Sequence, residues 1–107
     1  MTQDDFSRRH CRPCEGGVTP MDGPDIEQGL HSLKGWAAEG GKLRKEYVFQ
    51  DFVGSMAFVN RVAWIAESEG HHPDLAIHYN RVLVEIWTHA VSGLTENDFI
   101  LAARVDG

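Results

Sequence analysis

The hydrophobic positions of this chain change period four times, and that alternation limits the possible folds more than any single motif does. Over residues 22–34 the apolar side chains Ile26, Leu30 and Leu33 recur at helical spacing. Asp22 stands where an N-cap would, Pro24 falls in the first turn, and Gly35 occupies the C-cap position. Over residues 36–49 the period drops to two. Leu43, Tyr47 and Phe49 share a parity and Gly40-Gly41 is a hairpin signal, which predicts a short strand before the glycines and a longer one after them. Residues 51–69 return to the helical period, with Asp51 as cap and Phe52, Met56, Val59, Ala63 and Ala66 in one stripe. Phe58, Val62 and Ile65 widen that stripe, so this helix is expected to be covered by a sheet on one side and a partner on another. Gly70 ends it.

A second alternating run follows. Leu75, Ile77 and Tyr79 share one face, as do Val82, Val84 and Ile86, and a turn at Asn80-Arg81 would pair Tyr79 with Val82. The opposite parity (Ala76, His78, Leu83, Glu85, Trp87, His89) is apolar enough at Leu83 and Trp87 to point to an oligomer contact. Thr95, with Asp98 three residues on, has the pattern of a capping box and opens a last helix through Phe99, Leu101, Ala102 and Val105. The order is helix, two strands, helix, two strands, helix. It predicts an α+β fold, a two-layer α-β-β-α-β-β-α domain with helices on one face of a four-stranded antiparallel sheet. That domain spans residues 21–107; residues 1–20, broken by Pro13, Gly16, Gly17 and Pro20, read as an irregular lead-in.

Charge removes some functions. Ten Lys and Arg stand against sixteen Asp and Glu, a formal charge of −6, which disfavours a nucleic-acid partner. No apolar run approaches the ~20 residues of a membrane span, and the polar, acidic start is unlike a signal peptide. The expectation is a soluble, cytoplasmic protein without a membrane partner.

Candidate chemistry is concentrated in few residues. Cys11 and Cys14 form one Cys-x-x-Cys, but a zinc site would need two further ligands and a redox pair would need a strand-to-helix context. Lying in a Gly- and Pro-rich segment, the pair reads as a local structural feature. Of six histidines, His10, His31 and His78 read as structural or exposed, while His71, His72 and His89 stand out. Gly70-His71-His72-Pro73 is a turn at a helix C-terminus, and Pro73 biases His72 toward extended backbone, so the two adjacent rings diverge. The helix terminus favours an imidazolium at His71, and Glu67, one turn back, is placed to support it. A hairpin returns the chain to where it began, which brings residues near 89 beside residues near 72. Imidazoles titrate near neutrality and suit proton transfer in both directions. Divergent neighbours make a poor chelate, so no metal is expected. Trp36, Trp64 and Trp87 read as core or interface.

The spacing Glu67-x-x-x-His71-His72-Pro73, followed by Tyr79, His89 and Asp98, resembles that of the pterin-4a-carbinolamine dehydratase family. Gln50-Asp51-Phe52 and Gly93-Leu94-Thr95-Glu96 extend the likeness, and Cys11-Arg-Pro-Cys14-Glu-Gly-Gly17 is similar to the lead-in of many bacterial members. The resemblance implies a hydro-lyase that converts 4a-hydroxytetrahydropterin to quinonoid dihydropterin and water, in tetrahydropterin recycling. It implies no metal and no cofactor, a pterin substrate, and a homodimer or homotetramer. It assigns His71 and His89 to the acid-base pair, His72 to substrate binding and polarisation, and Glu67, Pro73 and Asp98 to support. Gly70 stands where animal members carry Asp, and Leu75 where they carry Trp. Those members also act as a dimerisation cofactor for a transcription factor through a helix surface. A non-catalytic interaction protein of this fold, or a role in molybdopterin-related metabolism, is the alternative.

Overall fold

The computed structural model describes residues 6–11 and 19–107. Its elements follow the expected order: α1 Gly23–Leu30, β1 Ala37–Glu39, β2 Lys42–Val48, α2 Phe52–Glu69, β3 Asp74–His78, β4 Arg81–Ile86 and α3 Glu96–Asp106. The four strands form one antiparallel sheet in the order β1-β2-β4-β3. Leu43, Val82, Val84 and Ile86 point to one face and are fully buried there, beneath Phe58 and Val62 of α2 and Phe99, Leu101 and Val105 of α3. Gly40 and Gly41 turn the first hairpin with φ of 57° and 77°, which side-chain-bearing residues resist.

The N-caps of α1 and α2 and the C-cap of α2 are as the sequence indicates, whereas the C-cap of α1 is His31 and not Gly35. Asp22 accepts from the Asp25 amide at 3.0 Å and Asp51 from the Gly54 amide at 2.8 Å. Gly70 closes α2 in the left-handed conformation, φ 64°.

Four expectations need correction. First, α1 stops at Leu30, four residues short of the expected end, because its last turn tightens: Ser32 donates to Gly29 and Leu33 to Leu30, three residues apart rather than four. Gly29 lets this helix lie directly on α3, since a Cβ there would sit 2.6 Å from the Phe99 ring.

Second, the second hairpin turns at Tyr79-Asn80, pairing His78 with Arg81 and Ile77 with Val82. The slip is two residues, so every side chain keeps its face. Tertiary bonds choose this turn: Ser55 Oγ donates to the Tyr79 carbonyl at 2.6 Å and the Phe49 amide to the Asn80 carbonyl at 2.7 Å. Tyr79 accepts a φ of 52° as a result.

Third, α2 buries the line Ser55, Phe58, Val62 and Ala66, whereas Phe52 and Ala63 of the expected stripe are exposed. The polar Ser55 was invisible to a hydrophobic pattern. Within one chain the other side of α2 is bare, with Val53 76% and Trp64 79% exposed.

Fourth, the lead-in is not wholly irregular. Phe6–Arg8 forms a short 3-10 turn whose Phe6 is buried against Phe99, ring centroids 5.7 Å apart.

The C-terminus is fastened to the sheet. Asp106 accepts from the Trp36 indole at 2.8 Å, from Lys45 at 3.1 Å and from the Tyr47 hydroxyl. Burial, then the hydrogen bond to Asp106, pushes the Tyr47 phenol well above its ordinary range, so it remains a donor.

Candidate active site

The site is built where α2, the end of β4 and the start of α3 meet. Gly70 reverses the chain at the end of α2, and the His71 amide bonds back to the Ala66 carbonyl at 3.2 Å, fixing where the His71 ring leaves the backbone. That ring is 13% exposed, and its Nε2 lies 2.6 Å from Oδ1 of Asp98. Asp98 itself is fully buried. Its Oδ2 accepts from the Thr88 hydroxyl at 2.7 Å and from the Thr95 amide at 2.8 Å, completing the capping box of α3. The Thr88 and Thr95 hydroxyls are themselves 2.8 Å apart. An ionised carboxylate only accepts, so Nε2 of His71 carries the shared proton and Nδ1 remains the basic atom.

His72 turns the other way. Its Nε2 lies 2.6 Å from Oε2 of Glu67, in an exposed pair whose contribution to stability is small. The two rings therefore diverge as expected, but Glu67 holds His72 and not His71; the carboxylate on His71 comes from Asp98. Helical spacing misassigns Glu67 because the chain leaves the helix at Gly70, after which one turn no longer separates positions four apart. Pro73 is half-buried and leads directly into β3.

His89 is not on the strand; it begins a 3-10 turn, His89–Val91, after β4 has ended. Thr88 before it is fixed in both directions to Gly93, its amide donating at 2.9 Å and its carbonyl accepting at 3.4 Å. The β3–β4 pairing begins at Asp74 opposite Glu85, and His71 and Thr88, each three residues beyond it, both bond to Asp98. His89 is exposed, and its ring stacks on Trp87 at 4.0 Å between centroids and 21° between planes. Thus Asp98 ties the histidine-pair turn to the residue that carries His89. Thr88 is the member of this hydrogen-bond network that sequence reasoning missed, since a β-branched residue at a strand end reads as sheet.

A model of the pterin 4 alpha carbinolamine dehydratase family matches residues 19–107. The chain belongs to this family. Among its relatives, a protein of Nitrosospira multiformis provisionally named a pterin-4-alpha-carbinolamine dehydratase is 48% identical over 98% of this chain and 93% of its own length. A protein of Rickettsia bellii, provisionally given the same name, is 49% identical over 94% and 91% of the two chains. A crystal structure from Brucella melitensis, described as a transcriptional coactivator/pterin dehydratase, superposes with a TM-score of 0.79 at 29% identity, covering 82% of this chain and 96% of that one. The α+β architecture matches that structure.

A second polar cluster lies close by. Glu69, with 3% of its side chain exposed, accepts from the Cys11 amide at 2.7 Å, lies 2.8 Å from His10 Nδ1 and 3.5 Å from Arg104 Nε. Burial raises its carboxyl, but the Cys11 and His10 bonds and the Arg104 charge outweigh that and hold it below the usual carboxylate range. The Cys11 thiol is pushed up to about 12, by burial first and then by Glu69. A thiol held neutral is a poor nucleophile, which supports the structural reading of Cys11. Cys14 lies outside the described residues. Among the described residues no three His, Cys, Asp or Glu side chains are grouped as metal ligands would be, and no helix is long and apolar enough to cross a membrane.

Proposed function

We propose that this chain dehydrates 4a-hydroxytetrahydropterin to quinonoid dihydropterin, by proton transfer between imidazoles and the substrate. The observation that carries the reading is the His71–Asp98–Thr88 chain of hydrogen bonds, which holds His71 in one tautomer and anchors the residue before His89. The family relationship supplies the substrate class.

Dehydration removes a proton from ring nitrogen N5 and delivers one to the departing 4a-hydroxyl. His71 takes or gives a proton at Nδ1, while Asp98 at Nε2 stabilises the positive ring that forms in between. His89, with no hydrogen bond on its ring among the described residues, serves the opposite proton. His72, turned outward on Glu67, binds and polarises the substrate, and Pro73 sets the direction of that turn. Fresh 4a-hydroxytetrahydropterin followed by stopped-flow absorbance tests this. Wild type accelerates the decay, and His71→Ala returns it to within a few-fold of the uncatalysed rate; no acceleration by wild type refutes the reading.

The protein works in the cytoplasm as a homodimer or homotetramer that recycles tetrahydropterin. Self-association is supported by the bare apolar side of α2, where an indole as exposed as Trp64 is costly in water. The outer parity of the second hairpin, expected to form such a contact, is exposed at His78 and His89 and half-buried at Ala76, Leu83, Glu85 and Trp87, whose ring stacks on His89.

A further inference from the structure

Each of the three site imidazoles needs something to hold it, and two have a carboxylate: Asp98 for His71 and Glu67 for His72. His89 has none among the described residues. It is exposed, it follows the strand rather than lying in it, and its one described ring contact is the flat face of Trp87, 4.0 Å away at 21°. We infer that Trp87 is the positioning residue for His89, doing with a stacked indole what the carboxylates do for the other two rings. The inference rests on the dehydratase reading given above.

The indole is itself held. Its Nε1 donates to Oδ2 of Asp74 at 3.3 Å, and the Lys42 ammonium lies 5.3 Å from the ring centroid, within cation–π range. Asp74 directly follows Pro73, so the indole links the turn that carries His71 and His72 to the ring of His89. The contact fixes the plane of His89 and leaves both of its nitrogens free. A carboxylate holder would have occupied one of them. A ring that must exchange a proton with substrate without a fixed tautomer is better held by its face than by its edge.

The size of the effect follows from rotamers. A free histidine has three staggered wells at χ1 and two broad ones at χ2, about six ring placements. Holding one of them raises the productive population up to about sixfold, and a displacement near 1 Å in the remainder costs up to about 10²-fold.

The test uses the full-length protein and three variants, Trp87→Ala, Trp87→Phe and His89→Ala. Stopped-flow dehydration gives kcat and KM separately, and the His89 ring protons are followed by NMR, with His89→Ala assigning them. In wild type those protons are expected upfield of free-histidine positions, shifted by the indole ring current. Trp87→Ala is expected to move them to free-histidine positions and to lower kcat about six- to 100-fold with KM within about twofold. Trp87→Phe keeps an aromatic face and is expected to recover most of both. A Trp87→Ala protein with wild-type kcat, or wild-type His89 protons without the upfield shift, overturns the inference while leaving the dehydratase reading intact. A wild type that does not accelerate the reaction defeats the dehydratase reading, and the inference with it.

Discussion

Asp98 is where a single residue decides most. It is fully buried and serves three donors: His71, Thr88 and the Thr95 amide. Removing it leaves several buried polar groups without a partner, at about 1–3 kcal/mol each. Asp98→Ala is therefore expected to lose about 3–5 kcal/mol of stability by urea denaturation, since a buried charge network is broken rather than replaced. Asp98→Asn separates structure from chemistry. The amide keeps the shape and its oxygen can accept from the Thr88 hydroxyl and the Thr95 amide as before, but the NH2 group it offers to His71 no longer selects the Nε2–H tautomer. The variant should stay folded and lose about 10²–10⁴ in kcat; a folded Asp98→Asn protein with the wild-type rate would contradict the tautomer argument. The histidines of this site were legible in the sequence because their chemistry is written in residue type and spacing. Thr88 was not, because its role comes from an oxygen on another element.

At the scale of elements, most of what could be read locally was read correctly; the end of α1 was not, since its cap is His31 rather than Gly35. Asp22, Asp51, Gly70 and the Thr95–Asp98 pair each fix a boundary by bonds within a few residues, and the period changes fix the order. The other misreadings depend on distant partners. The turn of the second hairpin is selected by Ser55 and Phe49, and the first turn of the described chain forms because Phe6 finds Phe99. The segment beyond Phe6 is docked the same way, by Glu69 on the Cys11 amide and by Arg104 on the Arg9 carbonyl at 2.8 Å. This docking has a pH signature. With its thiol raised from 9.0 to about 12, folded Cys11 holds its proton more tightly than the unfolded chain does. Its contribution is thus fully present below the ordinary thiol range and is lost as pH climbs toward about 12. Mapping iodoacetamide adducts by mass should show slow labelling of Cys11 at pH 8 in the folded protein and fast labelling in urea. Rapid labelling of the native thiol would mean that this segment is not docked.

The whole molecule shows two unlike faces: the sheet side of α2, closed by Ser55, Phe58, Val62 and Ala66, and its bare side with Val53 and Trp64. Light scattering after size exclusion should give a multiple of the 12.0 kDa chain for wild type and the single-chain mass for Trp64→Glu. An unchanged mass in that variant would move the contact elsewhere. In the proposed mechanism, by contrast, catalysis depends on His71 and His89 acting on one substrate from two elements that Asp98 joins. Groups that act as a unit are not additive when removed. The most direct measurement is therefore the dehydration rate of wild type, His71→Ala, His89→Ala and the double variant under one set of conditions. The account predicts that either single change removes most of the acceleration and that the double variant is within a few-fold of the worse single. Two independent losses that multiply in the double variant, or a single variant as fast as wild type, would contradict it.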